Sequence, residues 1–201
     1  DYKLYRLASP TDLNARQTKQ VLFLAKTEAA AERLHRVRFG SMASEDRGPR
    51  QTEILLRFKN TPERGLGAPL PEGNVRVMAP RKTGIFYIGA DSKKDTAVGL
   101  DWELAVGASS AVTARPRLIA RNETKLRDGR VRVVDQIEID IANALPQATV
   151  LELQQAPLGA NLKVTRTSAD WRLKDGDVTW SIATPARGAV QLRYVLSYVR
   201  G

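Results

Sequence analysis

The strongest constraint in this sequence is an alternation of apolar and polar residues with period two. From Arg130 to Ile141, the residues Val131, Val133, Ile137, Ile139 and Ile141 fall on one side of an extended chain and Arg132, Gln136, Glu138 and Asp140 on the other. Successive side chains of a β-strand point to opposite faces, so such a run has one face to bury and one to wet. Asp135 interrupts the apolar side. The same period runs through Ile54, Leu56 and Phe58, with Leu55 the exception, through Val178, Trp180 and Ile182, and through Val190, Leu192, Tyr194, Leu196 and Tyr198.

Further strands are expected at Lys3–Leu7, Gln20–Ala25, Asn74–Ala79, Ile85–Ile88, Trp102–Val106, Thr113–Arg121, Thr149–Gln154 and Leu162–Thr167, several of them rich in β-branched or aromatic residues. Turn signals separate the runs: Pro71-Glu72-Gly73-Asn74, Lys82-Thr83-Gly84, Arg127-Asp128-Gly129 and Lys174-Asp175-Gly176-Asp177. Asp-Gly pairs suit tight hairpins because both central residues adopt positive φ at low cost. Short strands at this spacing predict an all-β protein, an antiparallel immunoglobulin-like or fibronectin-like β-sandwich or a pair of them. Thr27 to Arg36 has the composition of a short helix, Leu34 to Phe39 reads as a strand, and Ser41 to Arg50 reads as a mobile loop.

The 201 residues suffice for one large or two small domains. The small residues Gly107-Ala108-Ser109-Ser110 suggest a boundary, giving a β-rich N-terminal sandwich region over 1–108 and an immunoglobulin-like sandwich over 109–201.

Several chemistries are excluded. Without cysteine there is neither a disulfide nor a thiolate metal site. His35 is the single histidine, so no multi-histidine metal site exists, and a catalytic triad would have to use a residue with no nucleophile motif beside it. Gly65-x-Gly67 lacks the rest of a nucleotide-binding fingerprint, and Pro69 and Pro71 oppose the helix such a loop requires, so the glycines are read as permitting a tight bend. No cofactor is expected. The carboxylate pairs Asp91 with Asp95, Glu138 with Asp140, and Asp175 with Asp177 read as solvated or turn-forming acids, while leaving a glycan-acting hydrolase with a surface carboxylate pair as an alternative. No apolar run approaches the roughly 18 residues of a membrane-spanning helix, and the first residues lack a signal-peptide layout, so the chain is expected to be cytosolic or to have lost a leader.

The formal charge of +10 points to an anionic partner. Arg115, Arg117, Arg121, Arg130 and Arg132, with Lys125 and Arg127, gather around one expected hairpin and form a candidate polyanion-binding ridge. A non-specific nucleic-acid-binding module is the second alternative, disfavoured because the ridge lacks the interleaved exposed aromatics of single-strand binders.

Four stretches carry a family resemblance. Tyr2-Lys3-Leu4-Tyr5-Arg6-Leu7, Asn14 to Val21 with its Gln-Thr-Lys-Gln, Gly65 to Val77 with Tyr87-Ile88-Gly89, and Trp102 to Gly107 together resemble the C-terminal domain of unknown function of mucoidy-inhibitor-A-like proteins. The match covers roughly residues 1–110, and the stretch Ala90 to Thr96 departs from the family pattern. The resemblance implies an immunoglobulin-like or fibronectin-like sandwich, export to the periplasm or cell surface, an upstream domain with a coiled coil, and a link to envelope polysaccharide. The resulting expectation is a non-catalytic binding or scaffolding module of the bacterial cell envelope, with a basic face for an anionic polysaccharide or an envelope protein. Self-association through strand edges, the Val190–Tyr198 strand among them, is a further expectation.

Overall fold

The computed structural model describes residues 10–26, 28–41 and 48–201. Among these residues the regular structure is almost entirely β: β1 Ala31–Phe39, β2 Arg50–Lys59, β3 Gly73–Arg81, β4 Gly84–Lys93, β5 Asp101–Lys125, β6 Val131–Asn143, β7 Thr149–Gln155, β8 Ala160–Thr167, β9 Trp171–Lys174, β10 Asp177–Thr184 and β11 Gly188–Arg200, with a single 3-10 turn at Pro62–Arg64. Nine strands form one sheet in the order β8-β11-β6-β5-β2-β1-β7-β10-β9, and β3 with β4 forms a separate hairpin.

The 25 residues of β5 join the two halves of the large sheet. Its first part pairs with β2 and its second with β6. Between them the register jumps: Gln51 faces Thr113 and Thr52 faces Ser109, so Ser110, Ala111 and Val112 are extra on β5. The Ser109 hydroxyl accepts the N–H groups of Ala111 (3.2 Å) and Val112 (3.4 Å), holding this kink. The small residues Gly107–Ser110, taken from the sequence as a boundary between 1–108 and 109–201, thus lie inside a bent strand. β1 and β2 from before it share the sheet with β6, β7, β10 and β11 from after it.

Bending brings the two halves face to face over one core. Val133, Ile137, Ile139 and Ile141 of β6 and Leu192, Tyr194 and Leu196 of β11 meet Val37 and Phe39 of β1, Leu151 and Leu153 of β7, and Val178 and Trp180 of β10. The Trp180 and Tyr194 rings, one from each half, lie 4.4 Å apart between centroids. Burying a side chain of this size contributes about 1.5–3 kcal/mol, so these inward positions carry the stability of the fold.

Four local expectations are corrected. The pairing is mixed, because β1 and β7 run parallel, a geometry open to strands joined through a long intervening chain. Ala31 to Arg36 is strand and not helix, since pairing with β2 on one side and β7 on the other outweighs alanine's helix preference. Gln20–Ala25 is not a strand: Val21 and Leu22 are exposed, and among the described residues no strand pairs with them. Trp102–Val106 and Thr113–Arg121 belong to one strand, β5. Lys3–Leu7, and most of the Ser41–Arg50 segment, lie outside the described residues. The strand β11 is paired with β6 along its length and with β8 from Tyr194 to Val199, so among the described strands none covers the other side of Gly188 to Leu192. The edge strands are β8, interrupted by register shifts, and the four-residue β9, both poor templates for strand addition.

The Gly-Leu-Gly stretch forms the tight bend expected of it. The bend wraps around the buried Asn60, whose Nδ2 donates to the Ala68 (2.8 Å) and Ala97 (3.0 Å) carbonyls and whose Oδ1 accepts the Gly67 N–H (3.0 Å). Gly65 has φ +85°, and a Cβ there would lie 1.7 Å from the Glu28 carbonyl oxygen. Only glycine fits.

Candidate polyanion-binding face

The even-numbered residues of β6 point away from the core and the odd-numbered ones into it, as the alternation requires. Arg115 and Arg117 lie opposite Asp140 and Glu138 on that outward face. Glu138, only 14% exposed, ties two cations together: Arg117 pairs with Glu138 Oε1, and Arg193 Nε donates to Glu138 Oε2 at 2.7 Å. Arg117 also reaches Asp140 at 2.9 Å, and Gln191 Nε2 donates to Asp140 at 2.8 Å. These contacts form a ladder across β5, β6 and β11.

The register extends the basic face beyond the expected residues. Arg166 of β8 stands beside Val195 and Lys163 beside Ser197, both on the outward side of β11, and Arg132 is outward on β6. The face therefore carries Arg115, Arg117, Arg132, Lys163, Arg166 and Arg193 against Glu138 and Asp140. Lys163, Arg166 and Arg193 are separated in sequence from the Arg115–Arg132 hairpin, and only the β8-β11-β6 pairing brings them to it. A shallow depression of about 410 Å³ lies beside Arg166 and Arg193, lined also by Ile119, Gln136, Glu138 and Val195.

Two of the expected ridge residues stand elsewhere. Register shifts between Leu118 and Ala120, so Ile119 is a bulge that reverses the parity of β5. Arg121 consequently turns to the opposite face and donates from Nε to Oδ1 and from Nη2 to Oδ2 of the fully buried Asp135, each at 2.7 Å. This pairing raises the guanidinium's affinity for its proton. Arg130 belongs to the β5–β6 turn and pairs with Asp128 at 2.6 Å.

Apart from Asp175, the carboxylates singled out by the sequence have partners. Asp91 accepts the Ala105 N–H (2.8 Å) and pairs with Lys93 (2.6 Å), Asp95 accepts the Glu72 N–H (2.8 Å), and Asp177 is held by Arg38. Asp175 occupies the β9–β10 turn with φ +52°. Among the described residues no group of three or more His, Asp or Glu side chains is placed to hold a metal ion. His35 is fully buried, its Nδ1 lies 2.9 Å from Thr52 Oγ1, and burial followed by the nearby Arg33 charge lowers its pKa.

A second charged cluster was not legible in the sequence. Glu152 of β7 and Glu103 of β5 bind Arg36 of β1, Arg57 of β2 and Lys174 of β9 on the other face of the sheet's second half. Lys174 Nζ lies 2.6 Å from Glu103 Oε1, although four strands separate β9 from β5. In a flat sheet five strand spacings would hold them about 24 Å apart, so this face is concave. Burial opposes ionisation of Glu103, but hydrogen bonds from Lys174, Arg36 and Arg57 outweigh it and carry the carboxyl down to about 2; Glu152 is lowered by Arg36 and Arg57 against the same opposition. Both acids are neutralised here, and the cluster acts as a clasp between strands.

Fold and surface together define an all-β module with a cation-rich outer face and no helix, among the described residues, long and apolar enough to cross a membrane. No family model, curated protein or solved structure matches this chain.

Proposed function

We propose that this protein is a non-catalytic binding module that engages an acidic polymer through the outward face of β8, β11, β6 and β5. The observation that carries this reading is the excess of cations on that face, with Glu138 fixing Arg117 and Arg193 on a rigid sheet. Positive charge held by a preorganised scaffold attracts a polyanion at a reduced ordering cost. The shallow, partly apolar depression beside Arg166 and Arg193 suits the ring face of a sugar better than a stacked base, since no exposed aromatic lines it. The chain's resemblance to the C-terminal domain of mucoidy-inhibitor-A-like proteins favours a bacterial envelope setting, exported to the periplasm or cell surface, with an anionic polysaccharide or an envelope protein as partner. The two layers around one core are in keeping with an immunoglobulin-like or fibronectin-like sandwich, carrying one parallel pair.

The test is binding of the purified chain to a panel of acidic polysaccharides and DNA at two salt concentrations, beside an Arg166→Glu/Arg193→Glu variant. Selective binding that the variant abolishes supports the reading. Equal, weak binding to every polyanion, indifferent to the variant, overturns it and moves the search to a protein partner.

A further inference from the structure

The β3–β4 hairpin gathers exposed large apolar residues on one small element, Met78, Ile85, Phe86, Tyr87 and Ile88. Its base is anchored: Gly89 lies so close to β5 that a Cβ would come within 2.6 Å of the Val106 carbonyl oxygen, and Asp91 accepts the Ala105 N–H at 2.8 Å. Its outer half projects. Met78 pairs with Tyr87, Ala79 with Phe86 and Pro80 with Ile85, and paired residues share a face, so Met78, Ile85 and Tyr87 stand on one side and Phe86 on the other. Exposure is 72% at Ile85, 59% at Tyr87, 49% at Met78 and 47% at Phe86. A two-stranded hairpin has little stability of its own in water, and apolar residues on both faces leave it no wet side.

What covers it is constrained by charge. From Gly73 to Ala90 the chain carries Arg76, Arg81 and Lys82 and no Asp or Glu. A second copy pairing hairpin to hairpin would set these cations against each other with no acid between them. A fluid, anionic lipid interface covers both apolar faces at once and answers the cations with phosphates. The free backbone edges limit the depth, because hydrocarbon cannot satisfy them while headgroups can. We propose that the β3–β4 hairpin is a membrane-surface anchor that beds Ile85, Phe86 and Tyr87 into the interface of an anionic lipid layer, with Arg81 and Lys82 at the phosphates. The hairpin enters at a shallow angle, with the turn cations kept at headgroup level by their long stems.

The test uses vesicles of phosphatidylcholine alone and of phosphatidylcholine mixed with phosphatidylglycerol, in co-sedimentation with the full chain. Binding to the mixed vesicles is expected, falling by about tenfold or more in Ile85→Ser/Phe86→Ser because two large apolar side chains are lost from the interface. A Tyr87→Trp variant is expected to add blue-shifted emission on the mixed vesicles, in the difference from the parent, and to do so also when Arg166→Glu/Arg193→Glu is present. Thermal melts confirm that each variant folds, and polysaccharide binding by Ile85→Ser/Phe86→Ser stays at the parent level, so this proposal and the acidic-polymer reading fail separately. Vesicle binding by Ile85→Ser/Phe86→Ser at the parent level, or added emission from the Tyr87→Trp variant that stays water-like on the vesicles, overturns the proposal. So does a dimer in sedimentation that the same two serine substitutions dissolve.

Discussion

Arg121 and Asp135 meet inside the fold as a bidentate pair, with both oxygens of a fully buried carboxylate held at 2.7 Å by one guanidinium. Tyr198 donates its hydroxyl to the same carboxylate at 3.1 Å, and burial followed by the Asp135 charge raises the phenol's pKa. Asp135 is the residue that interrupts the apolar alternation of β6, and its partner comes from β5 only because Ile119 bulges.

Removing one member of this pair is expected to cost more than the pair contributes. Asp135→Ala strands Arg121, which is 24% exposed, and takes an acceptor from Tyr198. A loss of roughly 2–4 kcal/mol is expected, below the fully buried limit because part of the guanidinium reaches water. The double variant Asp135→Leu/Arg121→Leu is expected to recover most of it. Urea unfolding midpoints decide, and a single variant as stable as the parent would sink the account.

The clasp on the concave face makes the protein acid-labile in a defined window. A free glutamate titrates near 4.5 and Glu103 in the fold near 2, so as pH falls the unfolded chain takes up the proton first. Stability from this group is complete above about 4.5 and is lost as pH falls toward 2, and Glu152 adds with the same sign. Glu103→Gln is expected to be less stable at neutral pH and to show a flatter stability curve across that window. Parallel curves for variant and parent would show that the cations do not favour the ionised acid.

Much of this fold could be read from the sequence, because the core depends on parity: the odd positions of β6 and the aromatic and aliphatic positions of β10 and β11 are buried where the alternation puts them. Parity fails at irregularities. One extra residue at Ile119 sends Arg121 inward, and three at Ser110–Val112 turn a small-residue stretch into a bend. Neither has a signature that separates it from an ordinary strand or a linker. Glu103, Glu152 and Lys174 were out of reach for another reason: what joins them is sheet curvature and the parallel β1–β7 pairing, which are long-range properties. Arg166 and Arg193 were missed likewise, since placing them beside Arg117 requires the strand order.

His35 offers a test that reads a single proton. Thr52 Oγ1 donates to the Val112 carbonyl at 2.9 Å, so toward His35 it acts as acceptor, and the imidazole carries its proton on Nδ1. Nε2 is buried with no partner among the described residues, so protonating it would create a charged donor with none of them to receive it. The lowered pKa means that stability is full above 6.5 and falls as pH drops below it, because the unfolded chain binds the proton first. Nitrogen-15 chemical shifts are expected to report a neutral Nδ1–H imidazole at and below pH 6.5. An imidazolium at neutral pH, or the Nε2–H tautomer, contradicts this arrangement.

Two arginines of the expected ridge, Arg117 and Arg121, separate the roles of charge. Arg117 faces outward in the Glu138 ladder, whereas Arg121 faces inward to Asp135. Each substitution to glutamine removes one positive charge, so a polymer that senses only net charge would respond to both alike. If the outward face is the binding surface, Arg117→Gln weakens binding to the preferred acidic polymer and lowers the salt slope by about one. Arg121→Gln instead lowers the unfolding midpoint and leaves the slope of the folded protein unchanged. Arg193→Gln is expected to follow Arg117, because Glu138 holds both. Affinity chromatography on the immobilised polymer across a salt series, paired with urea unfolding, separates the outcomes. Equal retention losses for Arg117→Gln and Arg121→Gln would assign the attraction to the whole molecule's charge and remove the outward face of β8, β11, β6 and β5 as a site.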